Sequence, residues 1–274
     1  MSFLQSLILG VVQGITEFLP ISSTAHLILV PWLVGWEFDP GVAFVFDVLL
    51  QLGTVAAVIA YFWKDLSEIV RASLSGLLER RPLATEKARL GWLIVLATVP
   101  AVIVGLAFKP FFESLHRNPI AVAGILTLGA GLIVVTEKIG RRSRGFDSIT
   151  WRDALLIGAS QSLALLPGVS RSAATICGGM LCHLERPSAA RFSFLMSVPV
   201  LIAAAVLAVK DLVELPGFGA YLPPLAAGFL ASAVVGFASI HWLLTYLARH
   251  PMNLFAGYRV VFGAACFLFY FLRT

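Results

Sequence analysis

Charge is the scarcest commodity in this chain. Of 274 residues only 13% are Asp, Glu, Lys or Arg, while 59% are apolar. Soluble domains carry about 25% charged residues, so a water-solvated globule is excluded and an integral membrane protein remains. Cysteine is also scarce. The three present, Cys177, Cys182 and Cys266, fall inside apolar segments and have no disulfide or metal spacing. The net charge of +5 does not read as a nucleic-acid footprint, because the Lys and Arg residues lie mostly in short loops between apolar runs. A basic n-region and a small-residue cleavage site are lacking at the start, so no cleavable signal peptide is expected. The last apolar run reaches Leu272, so no tail domain is expected either.

Against that apolar background two polar clusters stand out. The first is Gln13-Gly-Ile-Thr-Glu17-Phe-Leu-Pro20-Ile-Ser22-Ser23-Thr24-Ala-His26, set between the apolar runs 3–12 and 27–34. Ser, Thr and Gln alone would read as a hydrogen-bonded seam between helices. Glu17 and His26 shift the balance to a functional site, because ionisable groups in a membrane cost several kcal/mol unless they face protein, water or ligand. Pro20 breaks the helix of residues 2–19. The piece that follows, residues 22–35, is roughly 21 Å long at 1.5 Å per residue, too short for a hydrocarbon core of about 30 Å. The pair therefore reads as a re-entrant hairpin with its tip near Pro20-Ile21-Ser22.

The second cluster is Pro167-Gly168-Val169-Ser170-Arg171-Ser172-Ala-Ala-Thr175. It interrupts helical residues 153–166 and opens a second short helix, 170–182. Laying Ser22 on Ser170 also lays Gly10 on Gly158, Gln13 on Gln161, and Phe44 and Phe46 on Phe192 and Phe194. Spans follow each hairpin, about 41–63, 90–108 and 119–135 in the first half and 189–209, 221–247 and 252–272 in the second. Between them lie a charged loop at 64–89, a short connection at 111–118 and a basic loop at 138–152. Trp36, Trp63 and Tyr221 read as interfacial anchors. The expected fold is all-α: one membrane domain over residues 1–274, with six spans and two repeats, about 2–137 and 150–273. Three spans per half is an odd number, so the halves enter from opposite sides as an inverted-topology repeat.

Such repeats bring their broken helices together. Ser22 and Ser170 are good N-caps. The free amides and positive dipole ends behind them suit an anion, and Arg171 adds a charged fork matched to phosphate oxygens. Gly168 lets the backbone approach a ligand. An oxyanion with many oxygens fits. The plainer reading of Arg171 is an ion pair with Glu17 across the pseudo-twofold axis. Asp47 and Gln51 read as cavity-facing or supporting hydrogen-bonders, Arg259 as locally paired or snorkelling, and Gln161 as a packing or supporting group.

Gln-x-x-x-Glu with Phe-Leu-Pro-x-Ser-Ser-Thr-x-His, then Pro-Gly-x-Ser-Arg-Ser-x-x-Thr, resembles the bacitracin-resistance family of undecaprenyl-pyrophosphate phosphatases over essentially the whole chain. The resemblance implies hydrolysis of undecaprenyl pyrophosphate, a polyprenyl pyrophosphate lipid, to the monophosphate and inorganic phosphate. That reaction recycles the carrier of bacterial wall synthesis. The resemblance also implies a divalent cation, Mg²⁺ or Ca²⁺. The family carries Glu or Gln at the position of Gln13, so Glu17 is the main metal carboxylate here, with Gln13 beside it. The chemistry agrees: phosphoanhydride hydrolysis is mostly positioning and charge stabilisation, and one Arg171 offsets only part of the substrate's charge.

Ser23 and His26 are three residues apart on one helix, so a hydroxyl with an imidazole in reach is expected. Ser22 is spent as a cap. The expected catalytic residues are Ser23, His26, Glu17 and Arg171. The expected substrate contacts are Ser22, Thr24, Gly168, Ser170, Ser172 and Thr175. Two routes stay open, attack by Ser23 and attack by a water activated by His26 or Glu17. The competing class is a carrier that moves a polyprenyl phosphate. Lys64 to Arg89, Lys138 to Arg152, and Arg186, Arg191 and Arg249 fall on one face by span counting. The positive-inside rule makes that face cytoplasmic, in a bacterial inner membrane, with the site opening outward. Membrane lipid is the expected surrounding, and whether two copies pair is left open by the sequence.

Overall fold

The protein is described here by a computed structural model covering residues 2–38, 40–116, 118–213 and 218–273. Within these, the side chains of residues 40–45, 109, 113, 114, 116, 204–213 and 218–221 are not described. The Phe44 and Tyr221 side chains and the whole of Thr274 are therefore not described. The described residues are helical, with no strand among them: α1 Phe3–Phe18, α2 Ser23–Val34, α3 Pro40–Tyr61, α4 Trp63–Leu78, α5 Glu86–Ala107, α6 Lys109–His116, α7 Pro119–Ile139, α8 Trp151–Leu163, α9 Arg171–Leu181, α10 Arg186–Val213, α11 Phe218–Leu247 and α12 Asn253–Arg273, with a 3-10 turn at Phe146–Ser148.

Among the described residues four helices are long and apolar enough to cross a membrane: α5, α7, the Leu222–Leu247 part of α11, and α12. Phe46–Tyr61 of α3 and α4 pass together but bend by 80° at Phe62. Large apolar side chains such as Leu106, Leu128, Val234 and Phe271 are exposed on these helices. Water would penalise such a surface and lipid does not, so this is a multi-pass membrane protein. Two stretches read as connections are in fact helices. Residues 63–78 form α4, because Leu66, Ile69 and Val70 recur at helical spacing among the charges and Ile69 is buried. Residues 109–116 form the single two-turn helix α6.

Both hairpins are present as broken pairs. α1 ends at Phe18, with Leu19 extended after it, and α2 starts after Ser22 and ends at Val34, where Gly35 with φ 71° closes it in the left-handed conformation. α8 gives way to a run of turns over residues 164–169 before Ser170 opens α9. α1 packs along α11 and α8 along α5. The approach is close in both cases: a Cβ on Gly10 would stand 2.5 Å from the Gly228 carbonyl, and one on Gly158 would stand 2.3 Å from the Ala97 carbonyl. α7 and α12 pack on each other, as do α3 and α10. Phe18, Phe62 and Phe194 cluster beneath the first tip, with the Phe18 and Phe194 rings edge to face at 5.4 Å.

Candidate active site

The two tips meet inside the helical bundle. Ser22 has φ 75° and Ser170 has φ 76°, a strained region for a residue with a side chain. The strain is held at both tips by the same device: the Ser22 hydroxyl accepts from Ala25 N (3.4 Å) and the Ser170 hydroxyl from Ala173 N (3.2 Å). Ser172 Oγ donates to Leu19 O across the junction at 3.0 Å. Gly168 has φ 109° and packs its Cα side on Val122 and Leu126 of α7.

At this junction Glu17 collects three donors. Arg171 Nη2 stands 2.6 Å from Oε1, and Ser23 Oγ donates to Oε2 at 2.6 Å. Gln13 Nε2 donates to the same Oε2 at 3.0 Å. The ion pair read as the plainer role of Arg171 is thus formed. It uses one guanidinium nitrogen, and Arg171 also borders a cavity of about 540 Å³. Glu17, Ser22, Ser23, Thr24, Gly168 and Ser170 share that border. Its other walls are mostly apolar, with Val102 and Leu106 from α5, Leu165 and Leu166 from the second break, and Val200 and Leu201 from α10. A charged pocket running into an apolar trough suits an amphiphile with an anionic head.

Several expected contacts are not made. His26 does not reach Ser23. Its Nδ1 lies 2.7 Å from Ser22 O and its Nε2 lies 2.6 Å from Tyr258 Oη. The ring stacks on Phe262 at 4.6 Å, on the far side of α2 from the cavity. The reason is geometric: a three-residue step on a helix leaves two side chains about 60° apart, and aromatic stacking by α12 draws the imidazole outward. Ser172 and Thr175 also stay off the cavity border. Ser172 pairs with Ser170 Oγ and Leu19 O, and Thr175 bonds to Arg171 O and, at 2.5 Å, to Ser193 Oγ. Both brace the second tip. Gln51 borders the cavity, whereas Asp47 does not.

Among the described residues no group of three or more His, Cys, Asp or Glu side chains gathers to hold a metal. Gln13 supplies one clue: its Oε1 is buried and has no partner among the described residues. A carboxylate oxygen and a free amide oxygen are hard donors, and a Mg²⁺ bound by one or two protein oxygens plus phosphate and water needs no more.

The family described as bacitracin resistance protein BacA matches residues 6–265. The chain belongs to this bacitracin resistance family. A relative from Moorella thermoacetica is 46% identical over 274 residues, the whole of both chains. One from Chloroherpeton thalassium is 42% identical and one from Chlorobaculum tepidum 43%, each over 271 residues, 96% of this chain and 95% of theirs. All three are named undecaprenyl-diphosphatase.

In this family member two site residues escaped the sequence reading. Arg259 neither snorkels nor pairs locally. It is fully buried and donates to Leu126 O (2.9 Å), Pro20 O (3.3 Å), Val169 O (2.9 Å) and Gly168 O (2.7 Å). It thus ties both tips to α7. A lone cation within an apolar run, with no acid nearby in sequence, was the available signal. Gln161 borders the cavity rather than a helix seam.

Proposed function

We propose that this protein hydrolyses undecaprenyl pyrophosphate to undecaprenyl phosphate and inorganic phosphate at the junction of its two broken helices. This recycles the carrier lipid of the bacterial cell wall and confers resistance to bacitracin. The observation that carries the reading is Glu17, held between the Ser23 hydroxyl and the Arg171 guanidinium at the head of an apolar trough. The names of the relatives support the substrate.

The short Ser23–Glu17 contact favours Ser23 as nucleophile and Glu17 as its base. Ser23 Oγ attacks the terminal phosphorus as its proton passes to Glu17. The bond to the bridging oxygen breaks, and polyprenyl monophosphate leaves along the trough. Water then cleaves the phosphoserine, releasing phosphate. Arg171 turns from Glu17 to the phosphoryl oxygens, whose charge it can share through its whole fork. The free amides after Ser22 and Ser170 face the same charge. His26, bonded to Ser22 O, holds the strained turn that aims Ser23. Glu17 and Gln13 would hold a divalent cation, Mg²⁺ or Ca²⁺, which would draw phosphate oxygens together and offset their charge.

The finer architecture belongs to the same proposal. Six spans, α3, α5, α7, α10, α11 and α12, and two hairpins form an inverted repeat. Equivalent strain at Ser22 and Ser170, and equivalent packing at Gly10 and Gly158, support it. The basic loops face the cytoplasm of the inner membrane, and the site opens outward.

Purified protein in detergent should release phosphate from a polyprenyl pyrophosphate and lose activity in EDTA. No release by the wild type would refute the reaction, and full activity in excess chelator would refute the cation. In a cysteine-free background, a cysteine replacing Thr274 should react with an impermeant reagent in intact cells and one at residues 141–145 should not. The reverse would overturn the orientation.

A further inference from the structure

A diphosphate brings two phosphate groups, and the tip cluster offers them one fixed cation, Arg171. Beyond the two tips, the polar side chains bordering the cavity are Gln51, Thr98 and Gln161. Thr98 spends its hydroxyl on Ile94 O at 3.0 Å. Gln161 stands apart: it is 3% exposed, and neither Oε1 nor Nε2 has a partner among the described residues. Buried amides are nearly always hydrogen-bonded, so one left unpaired on both atoms in the wall of a cavity calls for a partner, which a turn of the amide toward the cavity would meet. Its backbone is held in place. One turn earlier on α8, Gly158 sits hard against Ala97 of α5, which fixes the face of α8 that meets the cavity. A few residues later the same segment supplies the apolar wall, Leu165 and Leu166.

With the terminal phosphate at Ser23 and Arg171, the phosphate esterified to the lipid lies further along the same cavity, where a further donor would hold it. We infer that Gln161 is a substrate-binding residue whose Nε2 donates to this lipid-side phosphate, so that the site distinguishes a diphosphate from a single phosphate. A neutral amide suits the position. It stabilises charge on the leaving phosphate without trapping the monophosphate product as a second fixed cation would. The assignment rests on the reaction proposed above.

The test separates the two phosphates. Binding of inorganic phosphate and of non-hydrolysable imidodiphosphate is measured by calorimetry on the full-length protein in detergent with Mg²⁺. In Gln161→Met, similar in size but without donors, imidodiphosphate should bind on the order of 10-fold more weakly or worse, as for a lost hydrogen bond to a charged group. Inorganic phosphate, seated at Ser23 and Arg171, should bind within about twofold of wild type. Gln161→Glu keeps the shape and adds a repelling charge, so it should weaken imidodiphosphate further and guards against a packing defect in the Met variant. No change in either ligand, equal weakening of both, or no binding of imidodiphosphate by the wild type would each overturn the inference. A wild type that binds imidodiphosphate but releases no phosphate from the lipid would refute the reaction and leave Gln161 as a diphosphate ligand.

Discussion

Replacing Arg259 should disable the site without unfolding the protein. Its guanidinium satisfies Pro20 O, Gly168 O and Val169 O, which lie in the breaks where no helix donor reaches them, and Leu126 O within α7. In Arg259→Met the three break carbonyls lose their donor. At about 1 kcal/mol each, the low end for a buried unsatisfied group, that is roughly 3 kcal/mol. Part returns, because a buried guanidinium with no carboxylate partner no longer has to be desolvated. A net loss of about 2 kcal/mol leaves a protein of ordinary stability folded. The tips, however, are no longer tied to each other. A shift of about 1 Å between Ser23 and Arg171 is enough to lower turnover by roughly 10²-fold. Arg259→Lys should recover only part, since one ammonium cannot span carbonyls on two separate tips. Gly129→Ala offers an independent route: its Cβ would stand 2.0 Å from Arg259 Nη2 and push the fork aside while keeping the charge. The assay is phosphate release under saturating substrate, with thermal unfolding in detergent run alongside. A folded Arg259→Met enzyme with kcat within about threefold of wild type would refute the reasoning.

Three further outcomes follow from the same contacts. Ser23→Ala should abolish phosphate release, whereas Ser22→Ala, which loses only a cap, should cost about 1 kcal/mol of stability and leave measurable turnover; near-normal release by Ser23→Ala would move the attack to water. Arg171→Lys should be nearly as slow as Arg171→Ala in the same assay, because a point charge does not replace a bidentate fork, and rescue by Lys would reduce the residue to net charge. Near the basic loops, burial alone would raise the Asp153 carboxyl, but donors from Arg144 and Thr150 outweigh it and hold the group below the ordinary aspartate range; its stabilisation is therefore complete above about pH 4 and lost as pH falls through and below that value, so Asp153→Asn should lower the melting temperature at pH 7 and flatten its fall in acid, and an unchanged acid slope would count against the pairing.

The sequence by itself determined the membrane class, the two broken helices and the serines that cap them. Those features depend on composition, on Pro20 and Gly168, and on residues a turn apart, all of which act locally. It left two roles open for Arg171, a phosphate fork and an ion pair with Glu17, and the structure forms the pair. Tertiary structure decided what no spacing could. Ser23 and His26 share a helix, yet α12 brings Tyr258 and Phe262 to the imidazole and leaves the hydroxyl to Glu17. Arg259 is 239 residues from Pro20, and only the packing of α12 on α7 sets its guanidinium between the tips. Gln161 looked like its mate Gln13, but its surroundings are made by α5 and the second break rather than by a neighbouring carboxylate. Local pattern fixes where a chain breaks and which side chains it offers there. Which of them meet depends on contacts between segments far apart in sequence.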